Sequence, residues 1–268
     1  MPVRAPVAAA PPCIVVFATR ERVRTAARVA FPRRRARLII GRTASEFGAA
    51  FHSTLIDAAL VDVGTAADDA WRAAELAREF PSVPFFAVTP MRGTDAPAVA
   101  RCAALEFTDI VVDSVDDDAL RDLVLPATFS TRFFDALQDP PPSLGITQPM
   151  QHAAWRCVVA HAGRTLRTDA LAEAVGVTRE HLSRTFSAAG APNLKRVIDL
   201  VRLIAAAELA KNPGYDIGDV ARILGFASSS HLSSTAQRVV GTRPASLSRL
   251  RAVDLVERFA QGRYRSRS

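Results

Sequence analysis

Hydroxyls, an amide and a guanidinium crowd one short stretch of this chain: Ser228, Ser229, Ser230, Ser233, Ser234, Gln237 and Arg238. A second polar set, Arg179, Glu180, Ser183 and Arg184, lies about fifty residues upstream. Arginine can fork onto a guanine edge or grip a phosphate, and serine and glutamate can contact base edges. Set at helical spacing, these groups suit recognition of double-stranded DNA. The same arginines would also sit comfortably as solvated surface charges, so the elements that carry them matter.

Those elements have a common design. Asp216 can cap a helix that turns Val220, Ala221 and Leu224 inward. Gly225 turns the chain, Ser228 caps a second helix, and Leu232 and Val239 face its core side. Upstream, Thr168 or Asp169 caps a helix through Val175 with Leu171, Ala172 and Val175 inward. Gly176 turns, Thr178 caps, and Leu182 and Phe186 pack at i, i+4 spacing. Each unit predicts a helix-turn-helix, whose second helix fits the major groove. Between them Pro192 or Asn193 opens a long helix through Lys211, closed by Asn212-Pro213-Gly214. At 1.5 Å per residue that rod is about 28 Å, near the ~34 Å repeat of B-DNA. One chain could then read a bipartite site without dimerising. His181 and His231 have no partner ligand nearby in sequence, so they read as packing or phosphate-touching residues. No metal site is expected.

Residues 150–249 resemble the AraC/XylS family of bacterial transcriptional regulators. The resemblance rests on Leu171-Ala172-Glu173, Val175-Gly176-Val177, His181-Leu182-Ser183-Arg184 and Phe186. It continues through Arg202-Leu203, Ala206, Leu209, Ile217, Val220-Ala221, Leu224-Gly225-Phe226, Gly241 and Pro244. The resemblance implies a sequence-specific DNA-binding regulator with promoter DNA as its partner. Family members usually carry an aromatic pair, an arginine and an inward phenylalanine in the last reading helix. Here those places hold His231, Leu232, Ser234 and Ala236, and the tyrosine-arginine after the proline is Leu247-Ser248. A bidentate arginine contact is worth ~1–3 kcal/mol, so the first unit is expected to carry most of the sequence reading.

The N-terminal half has a different rhythm. Continuous apolar runs at 13–18, 36–41, 57–63, 83–88 and 109–112 alternate with helical segments at 20–30, 44–52, 67–79, 95–104 and 116–124. Non-alternating apolar strands suit a sheet buried on both faces, and five of them predict a doubly wound, flavodoxin-like α/β domain. This half resembles the receiver domain of response regulators, with Asp62 in the phospho-acceptor position and Thr89 as the switch hydroxyl. The acidic pair expected after the first strand is Phe17-Ala18, and the lysine-proline after the fifth is Asp113-Ser114. Phosphoryl transfer needs a divalent cation held by further carboxylates and a cation on the phosphoryl oxygens. The expectation is a pseudo-receiver in which Asp62 and Thr89 are vestigial; phosphorylation control through Asp62 is the alternative.

The expected organisation is a disordered 1–12, a receiver-like domain at 13–125, a proline-rich linker at 126–149, an all-α DNA-binding domain at 150–251 and a tail at 252–268. Charge follows it: residues 1–126 hold 15 Lys+Arg against 16 Asp+Glu, and residues 127–268 hold 19 against 11. The positive excess thus lies wholly where a polyanion would bind. Cys13, Cys102 and Cys157 are scattered, which favours free thiols in a cytoplasmic protein. No stretch is apolar and long enough to span a bilayer. No cofactor is expected, since the chain has no nucleophile-base-acid set, glycine-rich phosphate loop or metal cluster. A DNA-recruited enzyme, or an adaptor that no longer reads DNA, remains the rival from another class. Receiver folds often dimerise, so a homodimer through the N-terminal half is a candidate by fold analogy. The Arg33-Arg34-Arg35-Ala-Arg37 run could touch DNA or acidic lipid, and more often such a run is a solvated edge before a strand.

Overall fold

A computed structural model describes residues 10–65, 67–187 and 191–265. Most of the expected disordered start, residues 188–190, where Gly190 is expected to turn the chain, and the last three residues lie outside the described residues. The chain divides into two units. One comprises Pro11–Arg132 with the short segment Asn212–Tyr215; the other holds Phe133–Lys211 and the residues from Asp216 on.

The first unit alternates strand and helix: β1 (Cys13–Phe17), α1 (Glu21–Ala30), β2 (Arg37–Gly41), α2 (Ala44–Ser53), β3 (Ala58–Asp62), α3 (Asp68–Glu75), β4 (Phe85–Thr89), α4 (Ala96–Ala104), β5 (Asp109–Val112) and α5 (Leu120–Val124). The five strands are all parallel in the order β2-β1-β3-β4-β5. This is the doubly wound, receiver-like order, with its switch point between β1 and β3. Every residue of β1, β3 and β4 is buried, as their unbroken apolar runs require. One face of the sheet packs Phe47, Phe51, Phe80 and Phe85, with the Phe51 and Phe80 rings stacked at 4.4 Å. At the amino end of β3, buried Asp57 accepts from the Cys13 amide at 2.7 Å and from the Ser130 amide and hydroxyl.

The second unit is helical: α6 (Phe129–Leu137) runs into it, followed by α7 (Pro149–Ala160), α8 (Thr168–Val175), α9 (Arg179–Ser187), α10 (Leu194–Leu209), α11 (Ile217–Ile223), α12 (Ser229–Val240) and α13 (Ala252–Arg265). Helix α10 is apolar nearly all round, the mark of a central helix. Leu200, Leu203, Ala205 and Leu209 have no exposed surface, and α7, α9, α11, α12 and α13 all pack on it. Residues 126–149 hold α6, whose Leu137 carbonyl accepts from the indole of fully buried Trp155 at 2.7 Å. Residues from 252 on hold α13, which buries Leu255, Val256 and Phe259.

Burial pushes the Cys102 and Cys157 thiols up to about 11. Both should therefore stay protonated near neutral pH and react slowly, since the thiolate is the nucleophile. Titration with Ellman's reagent should find these two sluggish in native protein, and all three cysteines prompt in guanidinium.

Candidate nucleic-acid interface and the strand-end pocket

In the first helix-turn-helix, α8 starts without a side-chain cap, since its N-cap residue is Arg167 and not Thr168 or Asp169. It ends at Gly176, whose φ of 81 requires the left-handed conformation. The Thr178 hydroxyl then accepts from the His181 amide at 3.2 Å and opens α9. Leu182 and Phe186 are buried, which leaves Arg179, Glu180, Ser183 and Arg184 exposed together on the outer face. Arg179 lies 3.5 Å from Asp169. Arg184 makes no ion pair among the described residues.

The second unit is capped more tightly. Asp216 and Asp219 form a reciprocal capping box on α11. Gly225 takes the left-handed turn, and the Ser228 hydroxyl accepts from the His231 amide at 3.1 Å to start α12. Leu232, Ala236 and Val239 face the core. On the polar side, the Ser233 hydroxyl donates to the Ser229 carbonyl at 2.9 Å and Ser234 to that of His231 at 3.0 Å. Arg238 reaches back to α10 and pairs with Asp199 at 3.0 Å. Ser229 and Ser230, in the first turn, stay exposed. Helix α10 is capped by Asn193, which accepts from the Lys195 amide. Its 16 residues span about 24 Å, shorter than the sequence spacing suggests, because the chain leaves the helix at Ala210.

At the carboxyl ends of the strands, Asp62 has no exposed surface. It is met by Arg20, in the loop between β1 and α1. Arg20 Nη2 and Nε bond Asp62 Oδ1 and Oδ2 at 2.6 and 2.9 Å, and Nη1 bonds buried Asp113 at 2.6 Å. Arg22 adds a contact to Asp113 at 3.0 Å and one to Asp117 at 3.3 Å. The Arg20 loop is itself pinned, since Arg24 donates to the carbonyls of Ala18 and Thr19. Hydrogen bonding to Asp62 holds the Arg20 guanidinium above its already high pKa, against the cost of burial. Thr89 turns its hydroxyl to Asp95 at 3.1 Å. Among the described residues no group of three or more His, Cys, Asp or Glu is arranged to hold a metal ion. The sequence spacing located Asp62 and Asp113 but missed Arg20. The available signal was the first of the closely spaced arginines Arg20, Arg22 and Arg24, which begin two residues beyond Ala18.

The family model described as "Helix-turn-helix domain" matches residues 171–249. Those residues form an AraC-type helix-turn-helix domain. No curated protein matches the chain. Among solved structures, full-length FixJ from B. japonicum is similar, at 13% identity and a TM-score of 0.39, covering 81% of this chain and 98% of that one. The AraC-type domain marks the protein as a DNA-binding transcription regulator. Among the described residues no helix is long and apolar enough to cross a membrane.

Within the AraC-type domain, Arg202 carries a structural duty that sequence spacing alone did not reveal. Its guanidinium carbon lies 3.9 Å from the Phe226 ring centroid, and Nη2 donates to the Leu224 carbonyl at 2.9 Å. It thereby ties α10 to the turn of the second helix-turn-helix. Burial lowers its pKa, and Asp199 opposes that effect. The two turn glycines differ in the same terms. A Cβ on Gly176 would meet nothing, whereas one on Gly225 would lie 2.2 Å from the Thr165 hydroxyl. Gly176→Ala should cost about 1 kcal/mol for its left-handed backbone alone. Gly225→Ala should cost about 2–3 kcal/mol, adding a steric clash. Urea denaturation of the two variants would check the ranking.

Proposed function

We propose that the protein is a sequence-specific transcription regulator whose N-terminal half operates without aspartyl phosphorylation. The observation that carries this reading is the Arg20 guanidinium bound to both Asp62 and Asp113. A receiver's phosphoryl chemistry needs a metal beside the acceptor carboxylate and a cation for the phosphoryl oxygens. Here an internal cation already neutralises the acceptor, and Asp113 sets a negative charge where a positive one is required. Asp62 also has no exposed surface from which to attack a phosphodonor. The pair acts as a fixed pin between the ends of β1, β3 and β5.

On the DNA side, α9 and α12 serve as the two reading helices. Arg179, Glu180, Ser183 and Arg184 form the stronger reader. Ser228, Ser229, Ser230, Ser233, Ser234 and Arg238 form a weaker one that grips phosphates or a looser half-site. Binding should weaken with salt, because phosphate neutralisation releases counterions. The test is selection from a random duplex pool with the full chain at two salt concentrations, with and without acetyl phosphate and Mg²⁺. The expected result is a bipartite motif, unchanged by the phosphodonor. No enrichment would overturn sequence-specific reading, and a phosphodonor-dependent gain in affinity would overturn the phosphorylation-independent half.

A further inference from the structure

The two edges of the parallel sheet are finished differently. At β5 the main chain of Val111 and Asp113 faces β4, since the Asp113 amide donates to the Thr89 carbonyl, so Ile110 and Val112 face outward. Both outward amides are capped by aspartates: Ile110 donates to Asp109 Oδ1 and Val112 to Asp116 Oδ2, each at 2.7 Å. That edge is closed to a further strand.

The β2 edge is not closed in this way. The Arg37 amide donates to the Pro12 carbonyl, and the Gly41 carbonyl accepts from Ala18. Odd-numbered residues of β2 therefore face β1, and Leu38 and Ile40 turn their amides and carbonyls outward. Among the described residues nothing bonds those outward groups. Beside them runs a groove of about 510 Å³, lined by Arg28, Phe31, Arg33, Arg37, Leu38 and Ile40 among others, with no carboxylate in its lining. Arg33, Arg34, Arg35 and Arg37 have no ion-pair partner among the described residues, and all four are exposed.

We propose that β2 takes an acidic, extended peptide segment as an added strand. The unpaired main-chain groups of Leu38 and Ile40 match a peptide backbone, the apolar floor takes alternate side chains, and the arginines select carboxylates on the others. A phosphodiester chain offers no amide donors for the outward carbonyls, so the edge favours a peptide over nucleic acid. A second copy of this chain is disfavoured by charge. Antiparallel pairing about Ile39 would set Arg35 and Arg37 of one chain beside Arg42 of the other. This inference does not depend on how the AraC-type domain reads DNA.

The experiment is fluorescence anisotropy of the full chain with a labelled peptide alternating glutamate and valine. Its partners are the same peptide N-methylated on alternate amides, an unlabelled random duplex as competitor, and the double variant Arg33→Glu/Arg37→Glu. The expected result is saturable binding that drops at least about tenfold on N-methylation and again in the double variant, survives the duplex, and shifts the Leu38 and Ile40 amide resonances. Equal binding of the N-methylated peptide would reduce the site to charge attraction and overturn the added strand. Displacement of the peptide by the duplex would make the patch a DNA surface and likewise overturn it. Absence of peptide binding would leave the arginines as edge protection alone and overturn it as well.

Discussion

Replacing Arg20 with methionine is expected to lower the stability of the N-terminal unit by about 3 kcal/mol, toward the lower end of what breaking a buried ion pair costs. Methionine keeps much of the length and removes the charge. What remains is Asp62, with no exposed side-chain surface, and Asp113, 5% exposed. Among the described residues, Asp62 then keeps only the Gly64 amide as a donor, at 3.2 Å, and Asp113 keeps Arg22. Each carboxylate loses a charge-assisted partner while staying out of water, and the loss is set by that desolvation more than by the strength of the original pair. Arg20 is itself 24% exposed, which places the effect below that of a fully enclosed ion pair. Arg22→Met is the control: its side chain is 58% exposed and should cost under about 1 kcal/mol. Urea denaturation followed by far-ultraviolet circular dichroism measures both. The double variant Arg20→Met/Asp62→Leu should recover most of the loss, because removing both charges removes the unpaired carboxylate. If Arg20→Met cost no more than Arg22→Met, the pin would be only a surface contact. The reading of the pocket as a neutralised acceptor site would then fall.

The Arg20 pin also shows where sequence reasoning reaches its limit. The strands were legible because burial on both faces needs unbroken apolar runs, and 13–18, 57–63 and 83–88 have no alternative use. The helix-turn-helix units were legible because each combines a capping hydroxyl or carboxylate, a left-handed glycine and i, i+4 apolar pairs within about twenty residues. Pairing of Arg20 with Asp62 and Asp113 joins groups 42 and 93 residues apart; the place of Arg20 just past β1 marks a cation there but not its partners. Arg238 behaves similarly. On a helical wheel it belongs to the polar face of α12, and only the packing of α10 reveals Asp199 as its partner. Helix α13 was obscured by its composition. Its arginines and glutamate hide Leu255, Val256 and Phe259, whose spacing is that of one buried face. Proline clustering between 126 and 149 marked breaks in the chain, but could not say that α6 would bury Phe133 and Leu137 between them.

The second large effect should come from Arg184. Arg184→Ala is expected to weaken binding to the selected DNA site ten- to a hundredfold, corresponding to the ~1–3 kcal/mol of a bidentate base contact. Ser234→Ala should change it less than about threefold. The difference follows from what each side chain does in the protein alone. Arg184 is exposed on α9 and makes no ion pair among the described residues, so its guanidinium can be spent on DNA. The Ser234 hydroxyl already donates to the His231 carbonyl at 3.0 Å, and any contact it makes replaces a bond it has. Arg238→Ala should act in between and through stability, since it releases α12 from Asp199 on α10. Titrations at two salt concentrations separate the modes of Arg184. A phosphate contact would weaken all sequences alike and reduce the salt slope by about 1, whereas a base contact would relax preference at one position and leave the slope nearly unchanged. A larger loss from Ser234→Ala than from Arg184→Ala would reverse the assignment. The reading would then move to α12, where hydroxyls, not guanidinium groups, would carry it.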